Sequence, residues 1–450
     1  MHLPQRGRNG ELAAAAQAVL QANDAGRWTL PSPAQYPHQW NWDSAFISLG
    51  WATFNWERAC TEIESMLHAR WREGMVPQIH YDPRYLANYF PGPDRWPRAQ
   101  AHILHGDEST SGITNPPVLI SSVLRIGRSQ TDLQRRHSFW RRTFPHLRDW
   151  LEYFAKSRQL AGSPLIAMVH PWESGCDNSP RWDHLSAAGL KPKRPFERLD
   201  TRHVSATQRP SNRDYDSYIA LAEMLDACDY DVATYRANSP FCVYDVLIDA
   251  LWYRAASDLN EIAGELQEPS PFDQGRLREF AAAFEETHWD KELGLYVDWD
   301  CVANGRIRQP TIAGLVSLMT QLVDRTKARA IWQCYEAMQA QAVSVCTVPT
   351  ANPAFDRSNY WRGPVWLNMN WLVAEGLDYS DCTDLANAIR KASLELVRQA
   401  GDFPEYFDAI SGEAIGIRGF SWTAALTLDM LKRSLSTDRQ SQPDSQPPIV

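Results

Sequence analysis

Two acidic residues in aromatic surroundings are the strongest candidates for chemistry in this sequence. The first, Asp177, lies in residues 170–183 (HPWESGCDNSPRWD), together with Glu173 and Asp183. A carboxyl held among tryptophan and proline side chains loses hydration, which raises its pKa and favours the protonated form. A general acid needs that form near neutral pH. A helix cap or a closed turn is the alternative role for Asp177, and the residues alone leave both open.

The second candidate is Glu405 in residues 402–408 (DFPEYFD), where aromatic side chains flank it on both sides. Such a loop does not have the composition of a solvated helix face. The alternative role is a salt bridge with a neighbour such as Arg418. Two carboxyls about 6.5–9.5 Å apart, with a water molecule between them, are what a hydrolase needs to invert an anomeric carbon.

Aromatic platforms accompany these acids in residues 36–46 (YPHQWNWDSAF) and 359–366 (NYWRGPVW). Sugars present apolar C–H faces and hydroxyl edges, so a sugar pocket needs aromatic rings beside a few convergent polar groups. Trp40, Trp42 and Asp43 supply both kinds of group. The alternatives are structural: Asp43 caps the next helix, and Trp361 and Trp366 belong to the core.

An arginine in residues 208–218 (QRPSNRDYDSY) is suited to an anionic acceptor. The planar fork of Arg209 matches a carboxylate bidentately. An ion pair with Asp214 or Asp216 explains it equally well. The histidines have no HExxH or HxH spacing, so no metal is expected.

The elements that must position these residues are mainly helices. Apolar spacing and composition predict thirteen of them, at residues 11–23, 44–54, 57–72, 117–128, 132–159, 214–228, 243–263, 276–287, 311–323, 327–341, 365–375, 384–399 and 421–433. Strand patterns are short, as in residues 343–348. Residues 74–115 and 162–212 lack helical periodicity, and loops of this length are usually functional.

About a dozen helices separated by aromatic loops favour an all-α (α/α)6 toroid, although periodicity alone does not exclude an open solenoid. No repeated consensus supports a solenoid family. We therefore expect one catalytic domain over residues 1–435, with loops 74–115 and 162–212 forming a cap over the active site. The Pro/Gln/Ser-rich residues 436–450 are expected to be disordered.

Composition limits the kinds of partner that this protein is expected to bind. A net charge of −9 argues against nucleic acid. No stretch reaches the roughly 18 consecutive apolar residues of a membrane span, and no signal peptide is recognisable. The scattered cysteines without a CxxC pair indicate reduced thiols and a cytoplasmic location. A small-molecule sugar is the expected partner, and a homo-oligomer is possible.

The motifs WNWDSAF, PWESGCDNSPRWD, YWRGPVW and FPEYFD, followed by GFSWTAA, resemble glycoside hydrolase family 63 in order from about residue 36 to 426. The resemblance implies an (α/α)6 barrel, inversion of configuration, and no metal or organic cofactor. It implies that Asp177 is the general acid and Glu405 the general base. The sugar contacts that it implies are Trp42, Asp43, Tyr89, Trp172 and Trp366.

Chain length is similar to that of the compact bacterial members, which hydrolyse glucosylglycerate or mannosylglycerate. In those members an RPSxxxY string holds the glycerate, which implies that role for Arg209 and Tyr215, with Tyr36 and Tyr360 as neighbours. The sequence departs from the family pattern at two positions. Cys176 stands where methionine is more usual. Phe420 stands where a glutamine is expected, which weakens the assignment to glycerate.

The expected function is therefore an inverting exo-α-glycosidase acting on a small α-linked glucoside or mannoside, with glucosylglycerate or mannosylglycerate preferred. A trehalase-like or oligosaccharide α-glucosidase with a neutral acceptor is the alternative enzyme. A non-catalytic glycan-binding protein is the alternative outside catalysis. An epimerase on the same toroid is disfavoured, because paired histidines are missing from the four aromatic segments.

Overall fold

The computed structural model describes residues 5–440, and helices dominate this range. The α-helices in it are α1 Gln5–Ala22, α2 Asn41–Trp51, α3 Trp56–His68, α4 Ala99–His102, α5 Val118–Ser129, α6 Leu133–Ser157, α7 Asp183–Ala188, α8 Asn212–Ala227, α9 Val232–Asn238, α10 Val246–Leu266, α11 Gln274–His288, α12 Ala313–Val316, α13 Arg325–Met338, α14 Leu367–Tyr379, α15 Thr383–Ala400 and α16 Ser421–Gln440. None of the helices in the described range is long and apolar enough to cross a membrane.

The strands in the described range are two or three residues long and antiparallel. They are β1 Gln39–Trp40, β2 Ile79–His80, β3 Ala167–Met168, β4 Val243–Tyr244, β5 Trp289–Asp290, β6 Leu295–Tyr296, β7 Asp298–Asp300, β8 Gly305–Ile307, β9 Tyr406–Phe407 and β10 Ala414–Ile415. One sheet has the order β3-β4-β7-β8, and the others are the pairs β1-β2, β5-β6 and β9-β10. Strands this short are below the length at which alternation is visible in sequence.

All thirteen predicted helices are present, with ends displaced by a few residues. The one predicted over 311–323 is broken, because α12 passes into the 3₁₀ helix Ser317–Thr320 and Gln321 ends it with a φ of +60°. The short helices α4, α7 and α9 were not predicted. The expected strand over 343–348 is wrong: this segment is coil, and the backbone N–H of Val345 donates to Asn370 instead of to a neighbouring strand. The expected tail is only partly tested: residues 436–440 are helical and end α16, which is not the expected disorder, and residues 441–450 lie outside the described residues.

Six helices form a closed ring of contacts. Helix α2 packs on α5, α5 on α10, α10 on α12, α12 on α14, α14 on α16, and α16 returns to α2. Further helices pack against members of this ring, with α1 on α16, α3 on α2, α6 on α5 and α10, and α15 on α14. Helix α2 is buried on every side, as expected of an inner helix. Its Gly50 is required there, because a Cβ would lie 2.4 Å from the Cα of Ala425 in α16.

A buried ion pair fixes the start of the second long loop. Arg158, at the end of α6, donates Nη2 to Oε1 of Glu173 at 2.8 Å, and both side chains are almost completely buried. Glu173 also accepts the backbone N–H groups of Thr114 and Val169 at 3.3 and 3.0 Å. Glu173 therefore joins α6 to both long loops, close in sequence to Asp177.

We expect Glu173→Ala to lower the free energy of unfolding by about 3–5 kcal/mol, because it leaves the Arg158 charge buried without a partner. Urea denaturation monitored by tryptophan fluorescence measures the change. Glu292→Ala is the matched control, since that side chain is 76% exposed in its pair with Arg308 and should change stability by less than about 1 kcal/mol. Equal effects of the two variants would contradict the anchoring role.

Candidate active site

A cavity of about 300 Å³ lies at the N-terminal ends of α2, α14 and α16. It brings together most of the residues that the sequence analysis selected. The selected residues that line it are Tyr36, Trp40, Trp42, Asp43, Tyr89, Trp172, Asp177, Arg209, Tyr215, Tyr360 and Glu405. Both long loops contribute residues to its wall.

Trp366 is the selected residue that does not line the cavity. Its ring is stacked on that of Trp361, with centroids 3.9 Å apart and planes 6° apart, and its Nε1 donates to the carbonyl of Tyr360 at 2.9 Å. Trp361 is the ring that faces the cavity. Trp366 therefore supports the wall from behind.

Asp177 follows a glycine turn and has few partners. Its backbone carbonyl accepts the hydroxyl of Tyr218 at 2.7 Å, whereas no other side chain in the described range hydrogen-bonds to its carboxyl. Burial raises the pKa of Asp177 to about 7, against the lowering effect of the Arg209 charge. The negative charge of Glu405 adds to the rise. The structure thus gives Asp177 no helix-capping role, and burial favours its protonated form.

Glu405 is in a different environment, immediately before β9. Its Oε1 accepts the hydroxyl of Tyr36 at 2.7 Å and Nη1 of Arg209 at 3.4 Å, and its Oε2 accepts the N–H of Ile417 at 3.3 Å. Burial raises the pKa of Glu405, while Arg209 and Tyr36 oppose that rise. The predicted alternative, a pair with Arg418, is wrong, since Arg418 donates to the carbonyl of Ala414.

Arg209 connects the anionic and aromatic parts of the cavity. Its Nε donates to Asp200 at 3.3 Å and its Nη1 to the hydroxyl of Tyr36 at 2.7 Å. Its guanidinium carbon lies 4.1 Å from the ring centre of Tyr360, a distance that permits a cation–π interaction. The predicted alternative, a pair with Asp214 or Asp216, is wrong. Nη2 of Arg209 donates to no protein group in the described range.

Tyr360 holds an unusual backbone conformation at this point. Its φ is +43°, a region that residues other than glycine rarely occupy and that clusters at functional sites. Its hydroxyl lies 3.2 Å from that of Tyr36. The two phenols and Arg209 therefore form a continuous polar group beside Glu405.

Asp43 faces the cavity from the first turn of α2. The helix begins at Asn41, and Trp40 occupies the N-cap position without a side-chain bond. The expectation that Asp43 caps this helix is therefore wrong. Burial raises the pKa of Asp43 well above its usual value.

Two glycines allow the backbone to approach Trp42 and Glu405 closely. Gly175 has a φ of +70°, and a Cβ there would lie 2.3 Å from the ring of Trp42. Gly416 has a φ of +71°, and its Cβ would lie 2.5 Å from Oε2 of Glu405. Only glycine combines this conformation with such a close approach.

Several lining residues were not selected from the sequence. They are residues 33–35 together with Gln78, Ile79, Tyr81, Asn88, Phe90, Pro91, Trp96, Gly175, Leu199, Asp200, Arg202, His203, Trp361, Phe420 and Trp422. The recognised motifs include Trp361, Phe420 and Trp422, so the sequence already indicated that these side chains lie near the other selected residues. Most of the others are in the long loops, where neither periodicity nor spacing indicates which side chains face inward.

In the described range, one group of side chains that could hold a metal ion lies outside the cavity. His68, Asp107 and Glu108 have ligand atoms within 4.8 Å of one another, and none of the three lines the cavity. Glu108 is already held by Arg27 at 2.8 Å and His80 at 2.6 Å.

Comparison with known proteins identifies the family. The model of the mannosylglycerate hydrolase MGH1-like glycoside hydrolase domain matches residues 36–423, a range that includes every cavity residue selected from the sequence. The chain belongs to this family of glycoside hydrolases. The family 63 resemblance seen in the sequence motifs is thereby confirmed.

Individual relatives cover nearly the whole glycoside hydrolase. A mannosylglycerate hydrolase of Rubrobacter radiotolerans is 37% identical over 94% of this chain and 97% of its own length. A glucosylglycerate hydrolase of Mycolicibacterium hassiacum is 33% identical over 94% of this chain and 98% of its own. The crystal structure of a family 63 mannosylglycerate hydrolase of Thermus thermophilus with Tris and D-glycerate has a TM-score of 0.86 at 37% identity, covering 93% of this chain and 99% of that one. Neutral trehalase Nth1 of Saccharomyces cerevisiae shares the fold, with a TM-score of 0.58 at 15% identity over 92% of this chain and 74% of that one.

The close approach at Gly416 makes a prediction about Glu405. Gly416→Ala pushes a methyl group against Oε2, and displacing a reacting group by about 1 Å costs on the order of 10²-fold in rate. We therefore expect kcat to fall by about that factor. Gly419→Ala is the matched control, because its φ is +63° and nothing lies within 4 Å of the added Cβ. Steady-state assays and thermal unfolding of both variants separate backbone strain from displacement of Glu405. Equal kcat values for the two variants would mean that Glu405 does not need this position.

Proposed function

We propose that this glycoside hydrolase cleaves a small α-linked glucoside or mannoside of glycerate with inversion of configuration. The proposal rests on one observation: two carboxyls in one cavity differ in their hydrogen-bond partners and in the environment that sets their pKa. Asp177 lacks side-chain hydrogen bonds and has a pKa raised to about 7, whereas Glu405 is paired with Arg209 and Tyr36. Carboxyls pushed toward different protonation states are the expected assignment of acid and base.

In the proposed reaction Asp177 acts as the general acid. Its protonated carboxyl donates a proton to the glycosidic oxygen as the bond to the anomeric carbon breaks. The aromatic wall of Trp42, Trp172 and Trp361 excludes bulk water and offers flat surfaces to the sugar ring. Asp43 accepts hydroxyl hydrogen bonds from the same sugar.

Glu405 acts as the general base on the opposite face of the sugar. It removes a proton from a water molecule that attacks the anomeric carbon, so that one displacement inverts the configuration. Arg209 and Tyr36 orient its Oε1, and the N–H of Ile417 holds Oε2. The proton then resides on Glu405 until product release and exchange with solvent.

We propose an (α/α)6 toroid for the architecture. The closed contacts of α2, α5, α10, α12, α14 and α16 support an inner layer of six helices, and the helices that pack outside them support an outer layer. The fold shared with a trehalase is consistent with this arrangement.

Glycerate as the acceptor rests on Arg209 and on the relatives. Nη2 of Arg209 is available to bind a carboxylate, with Tyr36, Tyr215 and Tyr360 around it. The relatives with over 30% identity act on mannosylglycerate or glucosylglycerate by name. A charge-assisted hydrogen bond to this arginine fixes one end of the substrate relative to the scissile bond.

A neutral acceptor is the second candidate, and two observations favour it. Arg209 already contacts two carboxylates, Asp200 and Glu405, so part of its charge is compensated. Phe420 lines the cavity with a ring in place of the amide expected for a glycerate hydrolase. Its ring lies edge-on to that of Tyr36, with centroids 5.8 Å apart.

Leaving-group chemistry tests the two catalytic roles. We expect Asp177→Asn and Glu405→Gln each to reduce hydrolysis of an α-glycoside by about 10²–10⁴-fold. A glycosyl fluoride needs no protonation of its leaving group, so it should restore much of the rate of Asp177→Asn and none of the rate of Glu405→Gln. Asp183→Asn is the control: its carboxyl lies in the same segment but pairs with Arg362. Rescue of Glu405→Gln alone would reverse the assignment.

The raised pKa of Asp177 predicts the alkaline side of the pH profile. Asp177 acts in its protonated form, so kcat/KM should fall as the pH rises through about 7. Glu405 acts in its ionised form, so activity should fall again as the pH drops through its own raised pKa. A kcat/KM profile with no decline between about pH 6 and 9, the range around the raised pKa of Asp177, would exclude Asp177 as the acid.

Replacement of Arg209 distinguishes the acceptors. Loss of a hydrogen bond to a charged group costs about 1.5–3 kcal/mol, so Arg209→Ala should raise KM for the glycerate glycoside by about tenfold or more. It should also shift the acidic limb upward for every substrate, because Glu405 loses a positive neighbour. Arg213→Ala is the control, since this exposed arginine in the same segment donates to the carbonyl of Ala187 at 3.2 Å and does not line the cavity. An equal KM change for a glycerol glycoside would favour the neutral acceptor.

A further inference from the structure

Two cysteines face each other across the ladder of β4 and β7. The register pairs Val243 with Asp300 and Tyr244 with Trp299. One step further along the ladder, Cys242 lies opposite Cys301, and the N–H of Cys301 donates to the carbonyl of Cys242 at 2.9 Å. Cross-strand partners point to the same face of a sheet. The two thiols therefore lie side by side.

The spacing of this pair suits a disulfide. Directly opposed residues in a hydrogen-bonded antiparallel pair have Cα atoms about 5.5 Å apart, inside the range of about 4.4–6.8 Å found for disulfides. The register of β4 and β7 therefore brings the two cysteines to a backbone separation at which an S–S bond fits.

The other end of the same ladder supports the loop that carries Asp177. Asp245 and Asp298 both accept Nη1 of Arg181, at 3.2 and 3.1 Å. Arg181 in turn donates Nε to Ser179 at 3.1 Å, in the turn that follows Asp177. The two strands thus hold this turn at one end and the cysteine pair at the other.

We propose that Cys242 and Cys301 form a reversible disulfide on exposure to a hydroperoxide, and that this bond locks β4 to β7 beneath the Asp177 loop. Cys301 is partly exposed and Cys242 is fully buried, so the oxidant reaches Cys301 first. Its sulfur attacks one peroxide oxygen, the O–O bond breaks, and an alcohol or water leaves with a proton. The resulting sulfenic acid is attacked by the sulfur of Cys242, which forms the S–S bond and releases water.

The bond joins two strands that are neighbours in the sheet but far apart in sequence, and it closes a long loop. This removes conformational freedom from the unfolded chain and so stabilises the folded protein. Thiol reductants reverse it by thiol–disulfide exchange. Oxidation should therefore slow thermal inactivation, and reduction should restore the original rate.

The test treats the intact protein with hydrogen peroxide, blocks remaining thiols with an alkylating reagent, and maps peptides by mass spectrometry. We expect a peptide pair joining residues 242 and 301, lighter than the two free thiols by two hydrogen atoms and absent after reduction. The oxidised protein should inactivate severalfold more slowly on heating. Cys301→Ser and Cys242→Ala should each lose both effects, whereas Cys334→Ser, which removes another half-buried cysteine, should retain them.

Alkylation of both thiols after peroxide treatment, with no joined peptide, would overturn the proposal. Conversion of Cys301 to sulfinic acid without cross-linking would overturn it too. A joined peptide with an unchanged inactivation rate would overturn the locking of the strands. Because the mapping is independent of activity, each result stands even if a variant is inactive.

Discussion

The contact of Glu405 with Arg209 and Tyr36 is the interaction on which the rest of the site depends. Two carboxyls that share a cavity repel each other, and burial raises the pKa of both. Arg209 contacts only one of them directly. In the resulting asymmetry, Arg209 and Tyr36 oppose the rise in the pKa of Glu405, while burial raises the pKa of Asp177, which has no side-chain partner, to about 7. In the proposed mechanism, one arginine thereby separates two chemically similar groups into an acid and a base.

Several parts of the fold position the residues around Asp177 and Glu405. Helices α2, α14 and α16 begin near the cavity, so their first turns and the coils before them carry Asp43, Tyr360 and Trp422. The segment that contains Asp177 is anchored at its start by the ion pair of Glu173 with Arg158. At its end, Arg181 is held by Asp245 and Asp298. Gly416 allows the backbone to pass within contact distance of Glu405. Buried ion pairs outside the cavity thus hold in place the segment that carries Asp177 inside it.

The helices were predictable because amphipathic periodicity persists over ten or more residues. Strands of two residues have no period to detect, and the coil at 343–348 is bonded by the side chain of Asn370, which no local pattern reveals. The aromatic segments indicated Asp177 and Glu405 because carboxyls among aromatic rings are unusual away from a site. The motif did not reveal that Trp361 faces the cavity and Trp366 lies behind it, since adjacent stacked rings have the same composition in either order. The partners of Arg209 were mispredicted because Asp200 and Glu405 approach it through tertiary folding.

The stereochemistry of the first product is the sharpest test of the proposed mechanism, because a single displacement by a water molecule held by Glu405 determines which anomer forms. Proton NMR spectra recorded during the first turnovers of an α-linked glucosylglycerate or mannosylglycerate, before mutarotation, report which anomer is released. We predict that the β-anomer of the sugar appears first and that the α-anomer grows later at the rate of mutarotation. Release of the α-anomer first would show that a covalent intermediate forms, and would contradict the roles given to Asp177 and Glu405.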